Sequence, residues 1–242
     1  MSALSRDPII VALDFEDADQ ARFLVKLLGQ SIGFYKVGME LYAAAGMDFA
    51  RELVENGKRV FLDLKMYDIP ETVKRAVRQV TKTGVEFLTI HARLSVMLAA
   101  VEGRGDASLK LLGVSVLTSM DDEDLRADLG YPAKVSELVA LRSRNALASG
   151  VDGIVCSPLE VAAVRAVAGS KAILVTPGVR SRSGIAADQK RVATPAEAVA
   201  AGADYLVIGR QVTRADDPKA EIERIHEELA MVMPRSALER RA

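Results

Sequence analysis

The sequence predicts an α/β protein built as a single (β/α)8 barrel. Three observations predict it: eight short apolar runs bounded by turn residues, longer segments of helical spacing between them, and a length of 242 residues, the usual size for eight βα units. An open doubly wound sheet is the competing architecture, but it usually has fewer strands and a glycine-rich loop after the first. Here the first apolar run ends Leu13-Asp14-Phe15-Glu16-Asp17 instead. Half of the residues are hydrophobic, enough for one large core, so one domain is expected over residues 1–242, with a short basic tail from about 234.

The strands are expected, in order, at residues 9–15 (IIVALDF), 34–38 (FYKVG), 59–65 (RVFLDLK), 87–92 (FLTIHA), 110–117 (KLLGVSVL), 153–157 (GIVCS), 172–179 (AILVTPGV) and 205–210 (YLVIGR). Between them DADQARFLVKLLGQ, PETVKRAVRQVTKTG, SELVALRSRNALASG and TPAEAVAAG have amphipathic helical spacing, and several close on the glycine expected just past a helix. Pro70, Pro158 and Pro195 stand where a helix would begin, a position that needs no amide hydrogen. A last helix is expected to end near Met233.

Composition excludes several function classes. Lys and Arg (32) nearly balance Asp and Glu (33), so the whole molecule has no field that favours nucleic acid or an anionic membrane, and any phosphate site must be local. The opening MSALSRDP carries no apolar leader, and no stretch approaches the ~20 apolar residues that span a bilayer, so a cytoplasmic protein is expected. The one cysteine, Cys156, lies in an apolar run without a histidine or basic cluster to activate it and reads as a core residue.

A barrel presents its chemistry at the carboxyl ends of its strands, so charges inside these apolar runs are the informative positions. Asp14 ends the first strand, Lys36 interrupts the second, and Asp63 and Lys65 close the third, with Asp68 in the loop that follows. Strand alternation turns Asp63 and Lys65 to one face and Leu62 and Leu64 toward the helices, so both charges enter the barrel mouth. Lysines interleaved with carboxylates offset the cost of burial by pairing. A structural ion-pair network is the plain reading, yet four charges at a barrel mouth exceed what packing requires, and such clusters are where shifted pKa values gather. Across the mouth, TPGVRSRSG follows the seventh strand and IGRQVT closes the eighth, the usual phosphate position in barrels. There Gly209 lets backbone amides approach an anion and Arg210 can supply a forked contact.

These residues resemble one family over nearly the whole chain. FLDLKMYDIPETV is similar to the Asp-x-Lys-x-x-Asp-Ile-Pro-x-Thr signature of the orotidine monophosphate decarboxylases, and VALDF, FYKVGMEL, VSVLTSM, VTPGVR and DQKRVATPAEA follow in that family's order. Two departures are Tyr67, where the family often has His, and Glu71, where it often has Asn; altered loop packing is expected from them, and the same reaction. The resemblance implies a cofactor-independent, metal-free decarboxylation of orotidine monophosphate to UMP in a homodimer with shared sites. It makes Lys65 the proton donor within an array of Lys36, Asp63, Lys65 and Asp68, with Asp68 coming from the other subunit. It gives Asp14 and Lys36 the ribose hydroxyls with the partner's Thr72 nearby, Thr118 and Ser119 the pyrimidine side, and Arg180, Gln189, Gly209 and Arg210 the phosphate. Ile69 and Pro177 also line the substrate in this scheme. Of the two histidines, His91 reads as a structural imidazole at the mouth and His226 as a solvated side chain, while Met39, Met66 and Met97 read as core or loop packing. Two rivals remain: a magnesium-dependent keto-gulonate-phosphate decarboxylase or hexulose-phosphate synthase using the same motif, and a barrel that binds nucleotide or phosphate without catalysis.

Overall fold

The computed structural model describes residues 7–132, 134–181 and 193–233. Eight parallel strands close into a barrel in sequence order: β1 (Ile9–Ala12), β2 (Phe34–Gly38), β3 (Arg59–Met66), β4 (Phe87–His91), β5 (Lys110–Val114), β6 (Gly153–Val155), β7 (Ile173–Pro177) and β8 (Tyr205–Ile208). The ring is sealed by β8 pairing with β1, where Ile9 stands beside Leu206. Outside it lie α1 (Ala18–Leu28), α2 (Met39–Glu55), α3 (Pro70–Val80), α4 (Leu94–Arg104), α5 (Asp122–Leu129), α6 (Val135–Ala148), α7 (Val161–Ala168), α8 (Pro195–Ala200), α9 (Arg210–Thr213) and α10 (Pro218–Ala230). Helices α5 and α9 are short additions in the loops after β5 and β8.

The eight expected strands are all present, but most stop two or three residues early at the carboxyl end. Asp14 therefore lies two residues past β1 and Thr118 four past β5, in loops at the mouth. Apolar sequence runs on into those loops because they, too, pack against neighbours, and composition cannot mark where the ladder stops. Pro70 and Pro195 begin α3 and α8 as expected, and Pro158 begins a 3-10 turn that leads into α7. The last helix ends at Ala230, with a turn to Met233, three residues short of the expected end.

Both faces of the strands are apolar because both are covered, as a parallel barrel requires. Ile10, Phe34, Phe61, Phe87, Val175 and Tyr205 fill the interior, while Ile9, Val11, Leu62, Leu88, Leu174 and Leu206 face the helices. The amino-terminal end is plugged by Phe34, Phe87 and Tyr205, packed edge to face with centroids 5.1–5.7 Å apart. The Arg59 guanidinium stacks 4.0 Å over Phe34, donates to Glu86 at 2.6 and 2.8 Å, and reaches the Tyr205 hydroxyl at 3.0 Å. Glu86→Gln is expected to cost about 1–3 kcal/mol in a urea melt, between the values for exposed and buried pairs, and to leave turnover per folded molecule unchanged. A loss of turnover at equal folding would mean that this end is coupled to the mouth.

A glycine, an apolar residue and an acid precede three of the even strands: Gly84-Val85-Glu86, Gly150-Val151-Asp152 and Gly202-Ala203-Asp204. Each glycine has positive φ (78°, 87° and 108°), a turn that a side chain resists. Asp152 and Asp204 accept the backbone N–H of Leu111 and Leu174 at 2.9 and 2.8 Å, tying each even strand to the start of its odd neighbour. Among the described residues, no helix is long and apolar enough to cross a membrane.

Candidate active site

At the carboxyl end of the barrel four charged side chains form a chain of contacts. Lys36 Nζ donates to Asp14 Oδ1 at 2.7 Å and lies 3.8 Å from Asp63 Oδ2; Lys65 Nζ donates to the same Asp63 oxygen at 2.8 Å. Lys36 and Asp63 keep only 10% and 13% of their side-chain surface exposed, whereas Lys65 keeps 28% and Asp14 52%, so the array has a desolvated centre and an open edge. Gly38 makes room for it: a Cβ there would lie 2.7 Å from the Lys36 ammonium.

Lys65 does not reach this place by simple alternation, and the sequence expectation is corrected on that point. Between Leu62 and Met66 the strand takes four steps while β4 takes two, from Leu88 to Ile90. Within this bulge Lys65 has φ 47°, the one positive value outside glycine among the described residues. The ammonium still turns to Asp63, and Leu62 and Leu64 do pack toward the helices. Thr89 of β4, fully buried, bridges the distortion: its hydroxyl accepts the Lys65 N–H at 2.9 Å and donates to Asp63 Oδ1 at 2.8 Å.

Burial by itself would raise the pKa of Asp63. The ammoniums of Lys36 and Lys65, with hydrogen bonds from Lys65 and Thr89, outweigh it and hold the carboxyl below its ordinary value. The sign of the linkage follows: a depressed native pKa contributes stability that is fully present above the unfolded value of about 3.9 and is lost as pH falls through the native value. Urea unfolding at a series of pH values is therefore expected to show less acid sensitivity below about pH 4 in Asp63→Asn than in the parent protein. An identical pH slope in both would remove Asp63 from the account of acid stability.

The array forms one wall of a cavity of about 270 Å3. Phe61, Val155 and Val207 give it apolar surface, Thr118 reaches in from the loop after β5, and Pro177, Arg180, Gly209, Arg210 and Gln211 complete its lining. A cluster of acids and lysines thus shares one partly apolar cavity with two guanidiniums, an arrangement that fits an anionic ligand. The profile of the family described as Orotidine 5'-phosphate decarboxylase / HUMPS family matches residues 7–225. The chain belongs to that family. It is 52% identical over 229 residues to the orotidine 5'-phosphate decarboxylase of Nitrobacter winogradskyi, covering 95% of each chain. It is 49% identical over 228 residues to that of Methylorubrum extorquens, covering 94% of this chain and 97% of the other. The crystal structure of orotidine 5'-phosphate decarboxylase from Lactobacillus acidophilus superposes with a TM-score of 0.82 at 37% identity, covering 93% of this chain and 99% of that one.

Of the site positions expected in this decarboxylase family, Asp14, Lys36, Asp63, Lys65, Thr118, Pro177, Arg180, Gly209 and Arg210 line the one cavity. Asp68, Ile69, Thr72 and Ser119 do not line it, and all four are exposed. Asp68 accepts the Ile69 N–H at 2.6 Å, and Ile69 leaves 70% of its surface in solvent beside the exposed Tyr67. Within one chain the array is thus Asp14–Lys36–Asp63–Lys65, without Asp68. Gln189 lies outside the described residues. Two residues escaped sequence reasoning: Thr89, a polar side chain two positions before His91 on the inner face of β4, and Gln211, directly after Arg210.

Burial lowers the pKa of His91, with Arg142 and Lys65 nearby adding to the effect, and its ring packs edge to face on Tyr67 at 5.4 Å. Tyr67, the departure from the usual motif, also accepts from Arg93 at 2.5 Å, so it has taken a structural position in the loop. His226 is not solvated as expected: it sits 3.1 Å from Asp7, which also accepts the Ile9 N–H, and so it fastens α10 to the start of β1. Met97 and Cys156 are in the core and Met66 packs against it, whereas Met39 is exposed at the start of α2. Among the described residues no group of three His, Cys, Asp or Glu side chains could hold a metal ion.

Proposed function

We propose that this enzyme, a carboxy-lyase by its family and its close relatives, removes carbon dioxide from orotidine 5'-monophosphate to give UMP, with the Lys65 ammonium neutralising and then protonating the carbon that loses the carboxylate. The single observation that carries the mechanism is the Lys65–Asp63 contact of 2.8 Å in a cavity that Arg180 and Arg210 also line.

Loss of carbon dioxide from C6 leaves an electron pair in the plane of the pyrimidine, where the ring π-system cannot spread it. The barrier falls only if positive charge already stands where the pair appears, and a cation that is fixed before reaction needs no reorganisation at that moment. Lys65 is such a cation, steered by Asp63, and it carries the proton that completes the product. The Asp63 carboxylate also faces the departing carboxylate. Two like charges at ~4 Å repel by about 4 kcal/mol at an effective dielectric near 20, strain that is relieved when the carboxylate leaves uncharged. Asp14 and Lys36, paired at 2.7 Å, suit ribose hydroxyls; Thr118 suits the base; Arg180, Arg210 and the Gly209 amide suit the phosphate.

The exposed Asp68, Ile69 and Thr72 support a homodimer in which this loop completes the partner's site. Mixing inactive Lys65→Ala with inactive Asp68→Ala tests it. In a shared site, half of randomly mixed dimers are hybrids, each with one intact site, so about a quarter of parental activity should return. No recovery on exchange of subunits would place the whole site in one chain. The cytoplasm, where a nucleotide substrate is found, is the proposed location.

Absorbance-monitored turnover of orotidine monophosphate in the presence of EDTA tests the reaction. Turnover that survives chelation is expected. A requirement for magnesium and a sugar phosphate would move the chain to the sister activities of the family.

A further inference from the structure

We propose that Thr89 is a positioning residue for the decarboxylation described above: its hydroxyl holds the Lys65 backbone in its left-handed turn and the Asp63 carboxylate in its ionised, acceptor orientation. The inference rests on that reading of the site, and it begins from a count of hydrogens. A hydroxyl carries one proton. The Lys65 N–H is a donor and lies 2.9 Å from Thr89 Oγ1, so the threonine proton is left for Asp63 Oδ1 at 2.8 Å. The other Asp63 oxygen receives the Lys65 ammonium at 2.8 Å. Both carboxylate oxygens therefore accept, and bonds from an ammonium and a hydroxyl favour the charged form of the acid.

The same hydroxyl answers a backbone problem. The shift in register between β3 and β4 takes Lys65 out of the regular ladder, and its φ of 47° is a conformation that non-glycine residues resist. A buried N–H without an acceptor would add to that strain. Thr89 stands where the ladder partner is missing, supplies a side-chain oxygen in its place, and is fully buried, so water does not compete for the bond. One atom thus ties the backbone of the proton donor to the carboxylate that steers it. The charged and titratable groups around this pair are Asp14 beyond β1, Lys36 on β2, Lys65 on β3, His91 on β4 and, behind His91, Arg142 on α6.

Thr89→Val keeps the branched shape and removes the hydroxyl; Thr89→Ser keeps the hydroxyl and removes a methyl. The valine protein is expected to lose about ten- to a hundredfold in kcat, the range seen when a supporting hydrogen bond behind an active group is removed, with KM little changed. Its acid limb in the pH–rate profile should move to higher pH, because Asp63 loses a bond that favours its charged form. The serine protein should recover most of kcat and the parental profile. If valine fails to accumulate as folded protein, Thr89→Ala should give the same split against serine. An unchanged kcat and profile in the folded valine or alanine protein, or equal losses in the serine and hydroxyl-free proteins, would overturn the role. The parent enzyme is the control for the reaction itself: were it inactive on orotidine monophosphate, the reading of function would fail and not that of Thr89.

Discussion

Replacing Lys65 with alanine is expected to lower turnover of orotidine monophosphate by at least about ten thousandfold while leaving UMP binding within a fewfold of the parent. The size follows from two roles lost together. A positioned proton donor contributes ~10^2 to 10^4 in rate, and a preorganised charge aimed at the developing anion a further ~10^2 to 10^3. The binding side follows from where the other contacts lie, since Asp14, Lys36, Arg180, Arg210 and Gly209 line the rest of the cavity and do not depend on the lysine. Absorbance-monitored turnover and calorimetric titration with UMP measure the two sides. A variant with more than about a hundredth of parental turnover would show that another group protonates C6.

Arg210→Ala is the complementary case. The guanidinium lines the same cavity from the end of the eighth strand and takes no part in the proton transfer proposed for Lys65, yet its loss is expected to lower kcat/KM about a hundredfold, the value of a charge-assisted contact to phosphate. The loss should exceed the effect of Lys65→Ala on UMP binding. Such an ordering is expected when remote binding energy is used to hold the base against Lys65 and exclude water, so that a contact far from C6 appears as rate. If Arg210→Ala proved milder than the binding defect of Lys65→Ala, phosphate recognition would not be driving the reaction.

Periodicity and turn chemistry made the barrel legible, because a closed parallel sheet buries both faces of every strand and writes each as a short apolar run. The charges were legible for the converse reason: Lys36, Asp63 and Lys65 interrupt runs where burial makes a charge expensive. The conformation that seats Lys65 was not legible. Residues 62–66 read as regular alternation, and the register shift and positive φ arise only when β4 pairs beside them. Thr89 was overlooked because threonine is an ordinary strand residue; only the bulge next to it turns its hydroxyl into a link between Lys65 and Asp63. His226 was misplaced for a similar reason, since its partner Asp7 is 219 residues away in sequence. Asp68 and Thr72 form a separate case. A reading of one chain puts them in the motif, but the fold leaves them in solvent and off the cavity, and the proposed homodimer is what would bring them to it.

The central claim is that Lys65 delivers the proton to C6, and by reversibility the same lysine must be able to remove it from the product. The most direct test is to incubate UMP carrying deuterium at C6 with the enzyme in ordinary water and follow the C6 proton signal by nuclear magnetic resonance. The account predicts steady appearance of that signal with the parent enzyme and none above background with Lys65→Ala at matched occupancy. Equal exchange by both proteins would contradict it.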